Sequence, residues 1–161
     1  MWLIGIRSGI ITILALIVYG LLIQTLQLQS SIWSNLGPVV FAIGIYSGHY
    51  YYRYANRGYM SYSEGVQVGL IVVAFTGIVS GLLSYGVAKF VDPNFTRLIR
   101  ENIKLSLQQN QPNEEKVQAL THLLDAYVTP EFLLVIIPLT TLLVGFIFNL
   151  VIAAFTKRTK Q

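Results

Sequence analysis

The chain has 161 residues, 54% of them apolar and only 11% charged, with a mean hydropathy of +0.60. So small a chain with so few charges cannot cover a core with the charged skin that solubility in water needs, which argues against a soluble helical bundle. The balance of 11 Lys and Arg against 7 Asp and Glu leaves +4, which in such a chain points to loop charge and anionic lipid before nucleic acid; the lack of cysteine excludes disulfides, thiolate metal sites and cysteine nucleophiles.

The first apolar run, SGIITILALIVYGLLIQTL, covers residues 8–26. It follows a single charge, Arg7, is longer than a secretory h-region and precedes no small-residue cleavage pattern, so it reads as an uncleaved first span. WSNLGPVVFAIGIYSGHYY at 33–51 reads as a second span, with Pro38 near its start. The third apolar run lies within residues 62–90, where Ser61-Tyr62-Ser63-Glu64 has the form of a capping box that starts the helix. At 1.5 Å per residue that helix is about 43 Å long and must tilt or protrude. The fourth covers 131–155 and opens with Thr129-Pro130-Glu131: a cap, a first-turn proline and an acid at the positive end of the helix dipole. Pro138 lies inside it and is expected to kink it. Each run reaches the length of about 20 residues that roughly 30 Å of hydrocarbon requires.

These elements predict an all-α polytopic membrane fold. Residues 1–161 form a single domain of four transmembrane helices, with an amphipathic helical segment at 92–130 between the third and fourth. Within that segment Phe95, Leu98, Ile99, Ile103 and Leu107 make one apolar stripe, and Val117, Leu120, Leu124 and Tyr127 another, the second helix capped by Asn113. The pair reads either as an amphipathic surface lying on bilayer or helix ends, or as a docking surface for another protein. His122 has no second ligand at metal spacing. The all-basic short pieces around Arg53 and Arg57 and around Lys157, Arg158 and Lys160, against an uncharged QLQSSI turn, place both termini in the cytoplasm.

Between the second and third spans, GHYYYRYANRGYMSY concentrates tyrosines beside arginines. Tyr50, Tyr51, Tyr52 and Tyr54 go all the way round a helical turn, as in an interfacial aromatic belt rather than a pocket. His49, Arg53 and Arg57 recur every four residues and would share a face for contact with an anionic lipid headgroup, as far as the helix continues. Small residues repeat at four-residue spacing as Gly5 and Gly9, Gly44 and Gly48, Gly65 and Gly69, and Gly77 and Gly81. They suit tight packing inside one bundle, with the third helix as its strut, or packing between copies. No Asp, Glu, Lys or Arg lies mid-span, and Asn149 and Thr76 read as inter-helix hydrogen-bonding groups. No protease, hydrolase, P-loop or dinucleotide motif is present, so no enzyme, metal site or cofactor is expected.

The chain resembles a bacterial family of integral membrane proteins known as domain of unknown function 4199. The likeness runs through YYRYANRGYMSYSEGVQVGL, with Arg53, Gly58, the Ser61–Glu64 cap and Gly69, through VAKFVDPNF with Asp92-Pro93, and through GFIFNLVIAAF with its basic tail. The likeness covers most of the chain, and the departures from it lie mainly in the first helix. The resemblance implies a four-span protein of the bacterial inner membrane and supplies no activity, cofactor or catalytic residue. Asp92 and Pro93 read as structural, proline stopping the third helix and aspartate capping the next turn. Two functional readings stand. One is a non-catalytic accessory, assembly or structural component that binds a protein partner or a second copy; the other is a lipid or small-solute handler holding anionic headgroups near the loop between helices 2 and 3.

Overall fold

The structure, a computed structural model, describes residues 1–28, 32–92, 94–110 and 114–159. Pro93, the Asn113 cap and Lys160 lie outside them. Among the described residues the chain is all-α, with six helices: α1 (Trp2–Thr25), α2 (Gly37–Ala55), α3 (Tyr62–Gly86), α4 (Phe95–Asn110), α5 (Glu114–Tyr127) and α6 (Pro130–Thr156). A 3-10 turn at Ile32–Leu36 leads into α2, and a π turn at Val87–Val91 ends α3.

The helix boundaries follow from local chemistry. Glu64 Oε2 accepts the Ser61 amide at 2.7 Å, and Ser61 Oγ accepts the Glu64 amide at 3.3 Å, so both halves of the capping box close. Thr129 Oγ1 accepts the Phe132 amide at 3.2 Å beside Pro130, which starts α6 as its sequence predicts. Asp92 Oδ1 takes the Asn94 amide at 2.9 Å, the expected turn between α3 and α4. Helix α6 continues through Pro138.

Three helices are long and apolar enough to cross a membrane: Trp2–Thr25, α3 extended to Val91, and Pro130–Thr156. Their outer faces carry uncovered Ile, Leu, Val and Phe, including Leu14, Leu21, Leu143, Ile147 and Phe155. Helix α2, the expected second span, is not among the three. Its 19 residues include serine, histidine, arginine and five tyrosines, which dilute its hydropathy.

The chain divides into two compact units, with the divisions falling inside the long helices α3 and α6. Unit one holds Met1–Val79 and Pro138–Gln161; unit two holds Ser80–Ile137.

Within unit one α3 is the strut. Gly5 and Gly9 of α1 lie against Ile71 and Phe75, Gly48 of α2 against Val72, and Gly145 of α6 against Val73. A β-carbon at Gly44 would overlap Thr12, and one at Gly69 would overlap Asn149. The glycine faces are therefore filled by other helices of the same chain, because only a missing side chain lets backbones approach this closely. Phe41, Ile45, Val72 and Val73 form the apolar centre, packed by Leu16, Leu142, Phe148 and Ile152. The α1–α2 turn is tied by Tyr19, whose hydroxyl donates to the Trp33 carbonyl and accepts the Leu36 amide.

In unit two α4 and α5 pack side by side. Lys104 Nζ lies 2.9 Å from Asp125 Oδ2, and Arg100 Nη1 lies 3.9 Å from Asp125 Oδ1. Lys89 reaches Glu131 at 3.4 Å and the Tyr85 hydroxyl at 2.6 Å.

Candidate functional site

The polar centre of unit one is built on His49, which is 0% exposed near the end of α2. Its Nδ1 lies 2.8 Å from Thr156 Oγ1 and its Nε2 lies 3.1 Å from Asn149 Oδ1. Asn149 is itself fully buried, and its Nδ2 donates to the Val66 carbonyl at 2.8 Å. That donation fixes the amide orientation, so Oδ1 can only accept and His49 Nε2 carries a hydrogen. Thr156 Oγ1 lies 2.7 Å from the Ile152 carbonyl, so its hydroxyl hydrogen has two alternative acceptors, that carbonyl and His49 Nδ1. Arg53 Nη1 donates to the Thr156 carbonyl at 3.2 Å, placing a cation at the negative end of α6. The cluster is buried and its hydrogen bonds tie α2, α3 and α6 together, which makes it a clamp between the three helices.

Beside the clamp the chain turns sharply. Arg57 has φ +53° and Gly58 φ +88°, and Asn56 Nδ2 donates to the Tyr59 carbonyl at 3.0 Å. The C-terminal stretch then pairs with this turn: the Met60 amide donates to the Arg158 carbonyl at 2.9 Å, and the Arg158 amide to the Met60 carbonyl at 2.8 Å. A cleft of about 430 Å³ opens here, lined by Asn56, Arg57, Tyr59, Ser61, Glu64 and Arg158 among others. Glu64 is committed to its cap and to the Tyr52 hydroxyl, 2.9 Å from Oε1. Neither Arg57 nor Arg158 has a carboxylate partner among the described residues. The cleft therefore presents two uncommitted guanidinium groups, suited to phosphate or carboxylate oxygens.

Unit two offers a different chemistry. A groove of about 530 Å³ is lined wholly by apolar residues of α4, α5 and the start of α6, including Ile103, Leu107, Leu120, Leu123, Tyr127 and Phe132. Its charged flank holds Asp125, whose carboxyl is kept below the usual carboxylate range by the hydrogen bond from Lys104, with Arg100 and His122 adding to the field.

A family model described as "Protein of unknown function (DUF4199)" matches residues 4–158. The chain belongs to that family. No curated protein and no solved structure matches it. The match extends into the first helix, where the main departures from the family pattern are expected.

In this DUF4199 chain the structure separates the three residues that the sequence groups for lipid contact. His49 points inward to Asn149 and Thr156, and Arg53 caps α6. Helix α2 ends at Ala55, so Arg57 leaves the shared face and joins Arg158 instead. Among the tyrosines of the expected belt, Tyr50, Tyr51 and Tyr54 are exposed, while Tyr52 is bonded to Glu64. Ser61 and Glu64 form the cap, Gly65 lies against Ala153 and Met60, Gly69 against Asn149, and Gly77 against Pro138 and Thr141; Gly81 is buried. Asn149 makes its inter-helix bonds, but Thr76 Oγ1 is buried with no partner, and so is Ser8 Oγ. Thr156 and Arg158 are the members that sequence reasoning misses. Asn149 and Thr156 stand seven residues apart on one face of α6, a spacing that marks them as a pair.

Proposed function

We propose that this protein is a non-catalytic accessory component of a bacterial inner membrane, crossing it four times with both termini in the cytoplasm, and that it binds a protein partner through the groove of α4 and α5. The observation that carries this reading is the open, wholly apolar groove on an amphipathic pair placed between two spans. An amphipathic helix laid into such a groove buries apolar area at i, i+3, i+4 and i+7 positions. The closed clamp at His49 supports a structural rather than catalytic bundle. A photo-crosslinking residue placed at Leu123 in native membranes is expected to give one discrete protein adduct. Labelling of lipid alone would remove the partner.

The two uncommitted arginines favour a second reading, the handling of anionic headgroups or small solutes at the cleft of Arg57 and Arg158. Calorimetry with soluble glycerol phosphate is expected to show binding that disappears in the variant carrying Arg57→Ala and Arg158→Ala. Unchanged heats in that variant would sink it.

A further inference from the structure

Four residues of α1 at i, i+3, i+4 and i+7, Ile4, Arg7, Ser8 and Ile11, form one stripe. Opposite them stand Tyr51 and Ala55 of α2, one helical turn apart. The stripe and the pair line a groove of about 270 Å³, set where Gly48 lets α2 approach Ser8 and Gly44 lets it approach Thr12.

Two polar groups in this groove have no use in the fold. Ser8 is 1% exposed, and its hydroxyl has no hydrogen-bond partner; its carbonyl is the acceptor for Thr12 Oγ1 at 2.7 Å, but the hydroxyl itself is left unpaired. Arg7 has no carboxylate within ion-pair distance among the described residues. A buried hydroxyl without a partner is rare enough in native proteins to call for an explanation, and an absent ligand is one. A guanidinium and a hydroxyl on adjacent positions supply donors for phosphate oxygens. Along α1 the groove continues to Ile11, beside the uncovered Ile10 and Leu14, a surface suited to an acyl chain.

We propose that the groove between α1 and α2 binds one anionic phospholipid, its phosphodiester held by Arg7 and the Ser8 hydroxyl and one acyl chain lying along Ile11. The site is separate from the cleft of Arg57 and Arg158, and it rests on the membrane placement but not on the partner-docking reading. The phosphate chemistry is shared by soluble phosphates; the apolar floor at Ile4 and Ile11 selects the lipid.

The test is native mass spectrometry of the full chain released from nanodiscs of phosphatidylcholine doped with phosphatidylglycerol. One retained phosphatidylglycerol is expected. Its retention should fall roughly tenfold in Arg7→Gln, the loss of a charge-assisted hydrogen bond, and be kept in Arg7→Lys. Ser8→Ala provides an arm that a merely structural role would not reproduce: it should raise the melting temperature of the lipid-free protein while weakening lipid retention. The variant with Arg57→Gln and Arg158→Gln should retain the lipid. Equal retention in Arg7→Gln and the native chain overturns the site. So does loss of lipid in the Arg57 and Arg158 variant alone, or Arg7-dependent binding of inorganic phosphate without lipid retention. Purification of the chain without detergent would instead remove the membrane placement beneath it.

Discussion

Asn149 shows how one residue can hold three helices. It accepts from His49 of α2, donates to the Val66 carbonyl of α3, and occupies the space that Gly69 leaves empty. Hydrogen bonds between helices in lipid contribute on average about 0.6 kcal/mol and at most about 1.7 kcal/mol. The steric term is larger, because overpacking a filled site costs about 1–3 kcal/mol. Gly69→Ala should therefore destabilise the detergent-solubilised protein by about that amount in heat-induced unfolding. Asn149→Ala in the same chain should recover much of the loss by removing the overlapping group. Strict additivity of the two changes would show that they do not meet. His49 belongs to the same scale: its ring type and neighbours in sequence suggest a headgroup contact, and only the rotation of α2 turns it inward.

Among the elements, the α4–α5 pair is the one governed by exposed charge. The Asp125 carboxyl has its pKa depressed in the folded state, chiefly by Lys104. A depressed folded pKa means that the ionised form stabilises the pair above the ordinary carboxylate pKa, and that this contribution is lost as pH falls through the folded value. Hydrogen exchange in α4 and α5 should accelerate on acidification below the ordinary carboxylate range. Asp125→Asn should exchange faster at neutral pH and show a smaller further change with acid. An unaltered pH response in that variant would assign the effect to other carboxylates. High salt should weaken the same contact, since its members are partly exposed to solvent. The ends of α3 and α6 behave differently: their caps are neutral or locally bonded, and their positions follow the Ser61–Glu64 and Thr129-Pro130 signals to within a residue or two.

For the whole molecule, the crossing of α2 decides the topology. Three helices meet the length and hydropathy of a span, and α2 is the fourth only if its tyrosines lie at an interface and its histidine is hidden in the bundle. Because the chain has no cysteine, single introduced thiols can report sidedness cleanly. Asn35→Cys, in the turn before α2, should react with an impermeant maleimide added to cells whose outer membrane is permeabilised. Asn56→Cys, just after α2, should react only once the inner membrane is broken. Labelling of both from the same side would leave three crossings and put the two termini on opposite faces.

Composition alone determined that the chain's main solvent is apolar, and short local signals determined where its helices start and stop. Both properties depend on side chains within a few positions of each other, so they can be read along a line. The family resemblance was legible for the same reason, in short motifs that stay contiguous. What the tertiary structure decided is which polar groups come together: His49 with Asn149, 100 residues away, Arg53 with the end of α6, and Arg57 and Arg158 in the lining of one cleft. Those meetings depend on the rotational phase of several helices at once, and a periodic pattern gives each helix its faces without saying which partner each face will find.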